Sequence, residues 1–75
     1  MNTAPFNSEN FEGTSEEIAK LNQAYAIAAK YWFDGADLDN LDHIRQLKTS
    51  LCDRIGNAYS EGLDAGEIAT LALGN

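Results

Sequence analysis

Four aspartates, Asp34, Asp37, Asp39 and Asp42, fall close together, and three consecutive aromatics, Tyr31, Trp32 and Phe33, stand immediately before them. Carboxylates this dense could hold a calcium ion, cap a helix or face a basic surface. The calcium option fails on spacing. An EF-hand loop begun at Asp37 needs glycine at its sixth place and a carboxylate at its twelfth, and those places hold Asp42 and Lys48. Capping takes up part of the cluster. Asp37 or Asp39 is placed to cap a following helix, and Asp42 falls in its first turn, where negative charge meets the positive end of the helix dipole. The remaining use is an interface, in which aromatic anchors carry affinity and charges steer the encounter. The expected partner-binding residues are therefore Tyr31, Trp32, Phe33, Asp34, Asp37, Asp39 and Asp42.

The other reactive side chains are isolated. His43 is the single histidine and stands four residues after Asp39, within reach of an i,i+4 contact. No nucleophile or second acid accompanies it in a catalytic arrangement. Cys52 is the single cysteine. It flanks an apolar helix face without a basic neighbour to lower its pKa, so it reads as a small hydrophobe. No Cys/His set has zinc-ligand spacing. The chain is expected to be non-enzymatic, with no catalytic residues, metal or cofactor.

Twelve acids against five bases give a formal net charge of −7. That balance opposes direct binding to nucleic-acid phosphates, which needs a basic footprint, and opposes attraction to an anionic membrane. It favours solubility or a basic partner protein.

Three helices must position these groups. The longest periodic stretch is Thr14 to Phe33, where Ile18, Leu21, Tyr25, Ala28 and Trp32 recur at spacings of three and four, a single helical stripe. Thr14 and Glu17 form a capping box at its start. Gly35 follows as a C-cap residue. A second helix is expected from about Asp39 to Glu61, with Leu41, Ile44, Leu47, Leu51, Ile55, Ala58 and Tyr59 as its apolar face. Lys48 falls near the middle of that face, where a polar residue can set register or oligomeric state. Gly56 either ends this helix early or admits a close backbone approach. The third helix, about 64–73, opens on the capping box Asp64/Glu67 with Leu63 and Ile68 at the staple positions. It is too short to stand alone and must pack on the other two or on a second subunit. A short connection between two long helices predicts an antiparallel hairpin.

Residues 1–13 lack periodicity and read as a flexible or extended arm, with Phe6 and Phe11 as its large apolar groups. Residues 14–75 are expected to form a single all-α domain, since one proline and few β-branched runs leave little for strands. A chain of this length buries a modest core and usually needs a disulfide, a metal or a second copy. With one cysteine and no metal set, the expected device is a homodimer forming a helical bundle. Its expected interface is Ile18, Leu21, Tyr25, Ala28, Lys48, Leu51 and Ile55. With no signal peptide, no bilayer-length apolar run and a lone thiol, the expected setting is the cytoplasm.

The stretches EIAKLNQAYAIAAK (Glu17 to Lys30) and GLDAGEIATLAL (Gly62 to Leu73) resemble the start of the flagellar regulator FlhD family. The segment between them departs from that family, and no function is carried over. Forcing the second and third helices into a helix-turn-helix would make the recognition helix acidic where base and phosphate contacts belong.

The function expected is a small acidic protein-interaction module: an adaptor, regulator or inhibitor whose partner has a basic or grooved surface. One version is nucleic-acid mimicry by the spaced carboxylates. The alternatives are a small-molecule-binding dimer, with Tyr25, Tyr31, Trp32 and Tyr59 around a pocket, or a DNA-binding transcriptional regulator.

Overall fold

The computed structural model describes residues 5–7, 9 and 11–74, and the remainder of the expected arm, like Asn75, lies outside the described residues. The chain is all-α, with α1 at Ser15–Trp32, α2 at Leu41–Ala58 and α3 at Ala65–Gly74. Each helix starts on a side-chain cap. Thr14 Oγ1 accepts from the Glu17 N–H at 3.1 Å while Glu17 Oε1 accepts from the Thr14 N–H at 2.9 Å. Asp64 and Glu67 repeat the exchange before α3, at 2.8 and 3.4 Å. These reciprocal bonds satisfy amides that a helix start otherwise leaves unpaired.

The cap of α2 differs from expectation. Neither Asp37 nor Asp39 occupies it; Asn40 does, its Oδ1 accepting from the His43 N–H at 3.1 Å. Asp37 is used one turn earlier, where its Oδ1 accepts from the Asp39 N–H at 3.1 Å. The helix also ends before the expected Glu61, at Ala58, where Tyr59 turns to extended backbone with ψ of 134°. It runs straight through Gly56, and a β-carbon added there would meet nothing within 4 Å. Gly56 therefore neither ends the helix nor admits a close approach.

The short third helix is central to the core. It packs against both longer helices, and more extensively against α1. Ala65, Ile68, Ala69 and Ala72 of α3 are buried, as are Leu21, Ala24 and Ala28 of α1. Alanines on both sides keep the seam narrow, so that Leu21, Leu51, Ile55 and Ile68 fill it completely and have no exposed surface. Burying side chains of this size contributes about 1.5–3 kcal/mol each. Phe6 enters the same buried cluster from the arm. Among the described residues no polar or charged side chain is buried.

Arg54 joins all three helices. Its guanidinium lies 4.8 Å from the centroid of the Trp32 ring in α1, and Nη1 donates to the Ala72 carbonyl in the last turn of α3 at 3.0 Å. No basic residue of α3 lies in that turn, so Arg54 supplies the cation that the negative end of the dipole favours.

One expectation about packing is corrected by burial, the placing of Leu41 on a covered face. Lys48 is exposed, and Leu41, counted on the same face, is 73% exposed. The buried residues of α2, Leu51 and Ile55, both lie in its C-terminal half. Of the expected dimer interface, Leu21, Ala28, Leu51 and Ile55 are consumed within one chain. Ile18 and Tyr25 are half-buried and, with exposed Lys48, retain surface.

Candidate functional site

Helix α1 delivers its final aromatics in three different environments. Tyr31 is 69% exposed. Trp32 is turned inward and held: its Nε1–H donates to the Leu47 carbonyl of α2 at 2.9 Å, and the Arg54 cation covers its ring. Phe33 is half-buried and packs against the core cluster. Consecutive helical positions are separated by about 100°, so one stripe cannot take all three, and Tyr31 is the one left out.

The chain then reverses. The Asp34 N–H donates to the Tyr31 carbonyl at 3.3 Å and the Ala36 N–H to the Phe33 carbonyl at 3.0 Å. Gly35 lies in the left-handed region at φ 78°, which glycine adopts without the steric penalty of a β-carbon. The Asn40 N–H closes the next turn on the Asp37 carbonyl at 3.2 Å. These bonds give the 31–42 segment a defined path from α1 into α2.

All four aspartates of this segment, Asp34, Asp37, Asp39 and Asp42, are exposed. Between them stand two leucines in the same condition: Leu38 is 72% and Leu41 73% exposed. Asp37, Asp39, Asn40, Leu41 and Asp42 line one shallow depression. The segment between α1 and α2 thus exposes four carboxylates together with Leu38 and Leu41. Leu38 was assigned no role by sequence patterning because it sits in the connection, outside any helical period. Leu41 fits the period of α2, which predicts a place on its apolar face. The available signal was their position, each directly between or beside aspartates, where a core leucine would have to drag charge inward.

Among the described residues there is no group of three or more His, Cys, Asp or Glu side chains able to hold a metal. His43 is exposed. Burial, and secondarily the charge of Asp53, push the Cys52 thiol above its ordinary value, which leaves less thiolate at neutral pH. Of the four aromatics expected around a ligand pocket, Tyr59 stands apart from Tyr31 and Trp32. Tyr59 bonds Glu17 in the first turn of α1, while Tyr31 and Trp32 lie at its far end. At 1.5 Å per residue, that puts about 20 Å of helix between them.

Comparison with known proteins returns no likeness: no family model matches the chain, no curated protein matches it, and no solved structure matches it. The resemblance of 17–30 and 62–73 to flagellar regulators therefore supports no family assignment.

Proposed function

We propose that this chain is a small acidic protein-interaction module, an adaptor, regulator or inhibitor that docks a partner protein through the tip between α1 and α2. The observation that carries this reading is the interleaving of exposed apolar and acidic side chains there. Tyr31, Leu38 and Leu41 are each more than two-thirds exposed, in a segment that also holds Asp34, Asp37, Asp39 and Asp42. Large apolar groups left in water favour burial against a partner, and the carboxylates around them select one with basic residues at its rim. Three apolar anchors among the charges favour a basic groove with an apolar floor over pure phosphate mimicry. The net charge of −7 supports the same partner polarity at long range.

In this reading α1 and α2 form an antiparallel hairpin. The bond from Tyr59, just past the end of α2, to Glu17 at the start of α1 supports it, as does the bond from Trp32 at the end of α1 to Leu47. The working assembly is a homodimer in the cytoplasm. Its contact would draw on Ile18, Tyr25 and Lys48, because the remaining expected residues are used within the chain. No helix of the described residues is long and apolar enough to cross a membrane.

Affinity capture from the native host, run in parallel with the wild type and a Leu38→Ser/Leu41→Ser variant, tests the docking tip. A basic protein recovered by the wild type and lost by the folded variant is the expected result. Identical recoveries from both would remove the tip from the account.

A further inference from the structure

We propose that the N-terminal half of α2 is a contact face for a second copy of this chain, set antiparallel so that the acidic start of each helix meets the basic residues further along the other. The side chains that α2 places in or against the core, Leu51, Cys52, Ile55 and Ala58, all come from its C-terminal half. The helical face they share does not stop there. At about 100° per residue, the face of Leu51 and Ile55 runs back through Lys48 and Ile44 to Leu41, with Arg45 at its edge. Leu41, Arg45 and Lys48 are exposed and Ile44 is half-buried. The face therefore passes from core to solvent while keeping its apolar period.

Charge specifies the occupant. Acids lead this half, as Asp37, Asp39 and Asp42, and bases follow, as Arg45 and Lys48. All five are exposed. On a two-fold axis near Ile44, an antiparallel pair sets the apolar residues of both copies together and carries the aspartates of each toward Arg45 and Lys48 of the other. A parallel pair would set acid on acid and base on base. One surface is thus complementary to itself, as a two-fold dimer requires. Lys48 falls within the apolar face, where a lone cation fixes register at some cost in stability. The contact spans about two turns of each helix, and the net charge of −7 on each copy opposes the approach at long range. The dimer is accordingly weak and forms as concentration rises. The contact rests on the homodimer reading above and keeps Lys48 from it. Leu41 belongs both to this face and to the docking tip, so a second copy and a basic partner occupy it in turn.

Charge exchange between two full-length variants tests it, read by sedimentation equilibrium over a range of concentrations. The wild type should self-associate. Asp37→Lys/Asp39→Lys turns the acidic end basic, and Arg45→Glu/Lys48→Glu turns the basic end acidic. Each variant alone should raise the dimer dissociation constant by more than about tenfold. Mixed in equal amounts, the two should pair as a heterodimer with an affinity near that of the wild type, because every reversed charge again meets its opposite. Should the lysine pair fail to fold, since Asp37 also accepts the Asp39 N–H, Asp39→Lys alone takes its place. A wild type that stays monomeric throughout overturns the contact. So does a dimer that neither reversal weakens; in that case the homodimer stands and its interface lies elsewhere. A mixture that associates no more tightly than either variant alone overturns it too. Capture of a basic protein by the tip of a monomeric wild type would leave the docking reading standing and remove the second copy. A dimer that follows the charge exchange stands whatever the capture recovers.

Discussion

Tyr59 donates its phenolic O–H to Oε2 of Glu17 at 2.7 Å, across 42 positions of sequence. The other oxygen of the same carboxylate accepts the Thr14 N–H. One side chain thereby caps α1 and holds the exit of α2 through Tyr59, whose ring meets that of Phe11. The backbone bond from Thr14, then the bond from Tyr59, hold the Glu17 carboxyl below its ordinary 4.5.

That depression sets the sign of an acid response. A carboxyl whose folded value lies below its unfolded one adds stability above pH 4.5 and loses it as pH falls through the folded value. The melting temperature should therefore fall in acid more steeply for the wild type than for Glu17→Gln, which preserves the capping box without the charge. Tyr59 acts at the opposite end. Its bond to Glu17, chiefly, raises it above 10.0, so its contribution is complete below that pH and fades as pH rises through the raised value. Tyr59→Phe should lose the alkaline dependence and weaken the acid one without abolishing it, because the Thr14 bond to Glu17 remains. Parallel acid and alkaline melts of the three proteins, measured by circular dichroism, would show the bond to be inert.

Arg54 should matter more than an ordinary helix-surface cation. Arg54→Gln removes the charge over Trp32 and the bond to the Ala72 carbonyl, at an expected loss of about 1–3 kcal/mol. Arg54→Lys should recover only part of it, since an ammonium cannot stack and bond in the same planar geometry. Urea denaturation checks both variants.

Gly56→Ala should stabilise the chain. The position is inside α2, exposed, and open around the added β-carbon. Replacing glycine by alanine in a helix interior is worth about 0.5–1 kcal/mol. A lower midpoint in denaturant would mean that the glycine serves something the folded chain does not display.

The docking tip should be removable without harm to the fold. Leu38→Ser/Leu41→Ser and Asp34→Asn/Asp37→Asn change exposed side chains, and asparagine at 37 retains the acceptor for the Asp39 N–H. Each pair should leave stability within about 0.5 kcal/mol of the wild type, measured as a melting curve before any binding experiment.

Local signals in the sequence proved sharper than long-range ones. Both capping boxes, Thr14/Glu17 and Asp64/Glu67, were readable because the bonds span three residues and need only two side-chain types. The all-α class was legible in the single proline and the few β-branched runs, and the helix positions in the three-and-four spacing. The weight of α3 in the core was not readable: ten residues with a small apolar face look marginal until alanines on α1 are set opposite alanines on α3. Leu41 fits the apolar face of α2 by its period, yet it is exposed. A helical period says which residues share a face, not how far along the helix a partner covers it. Trp32 and Tyr31 show the same limit at the tip. Adjacent in sequence, they differ because Leu47 and Arg54 arrive from another helix to claim only one of them.

The central claim is that the tip binds a basic partner through Tyr31, Leu38 and Leu41 with steering from the aspartates. It is tested most directly by the dissociation constant of the captured partner as a function of salt. Three proteins are compared: the wild type, Leu38→Ser/Leu41→Ser and Asp34→Asn/Asp37→Asn. The account predicts that wild-type affinity falls with salt, that the serine pair is weaker at every salt concentration with the slope retained, and that the asparagine pair flattens the slope. Three superimposable curves from three folded proteins would contradict it.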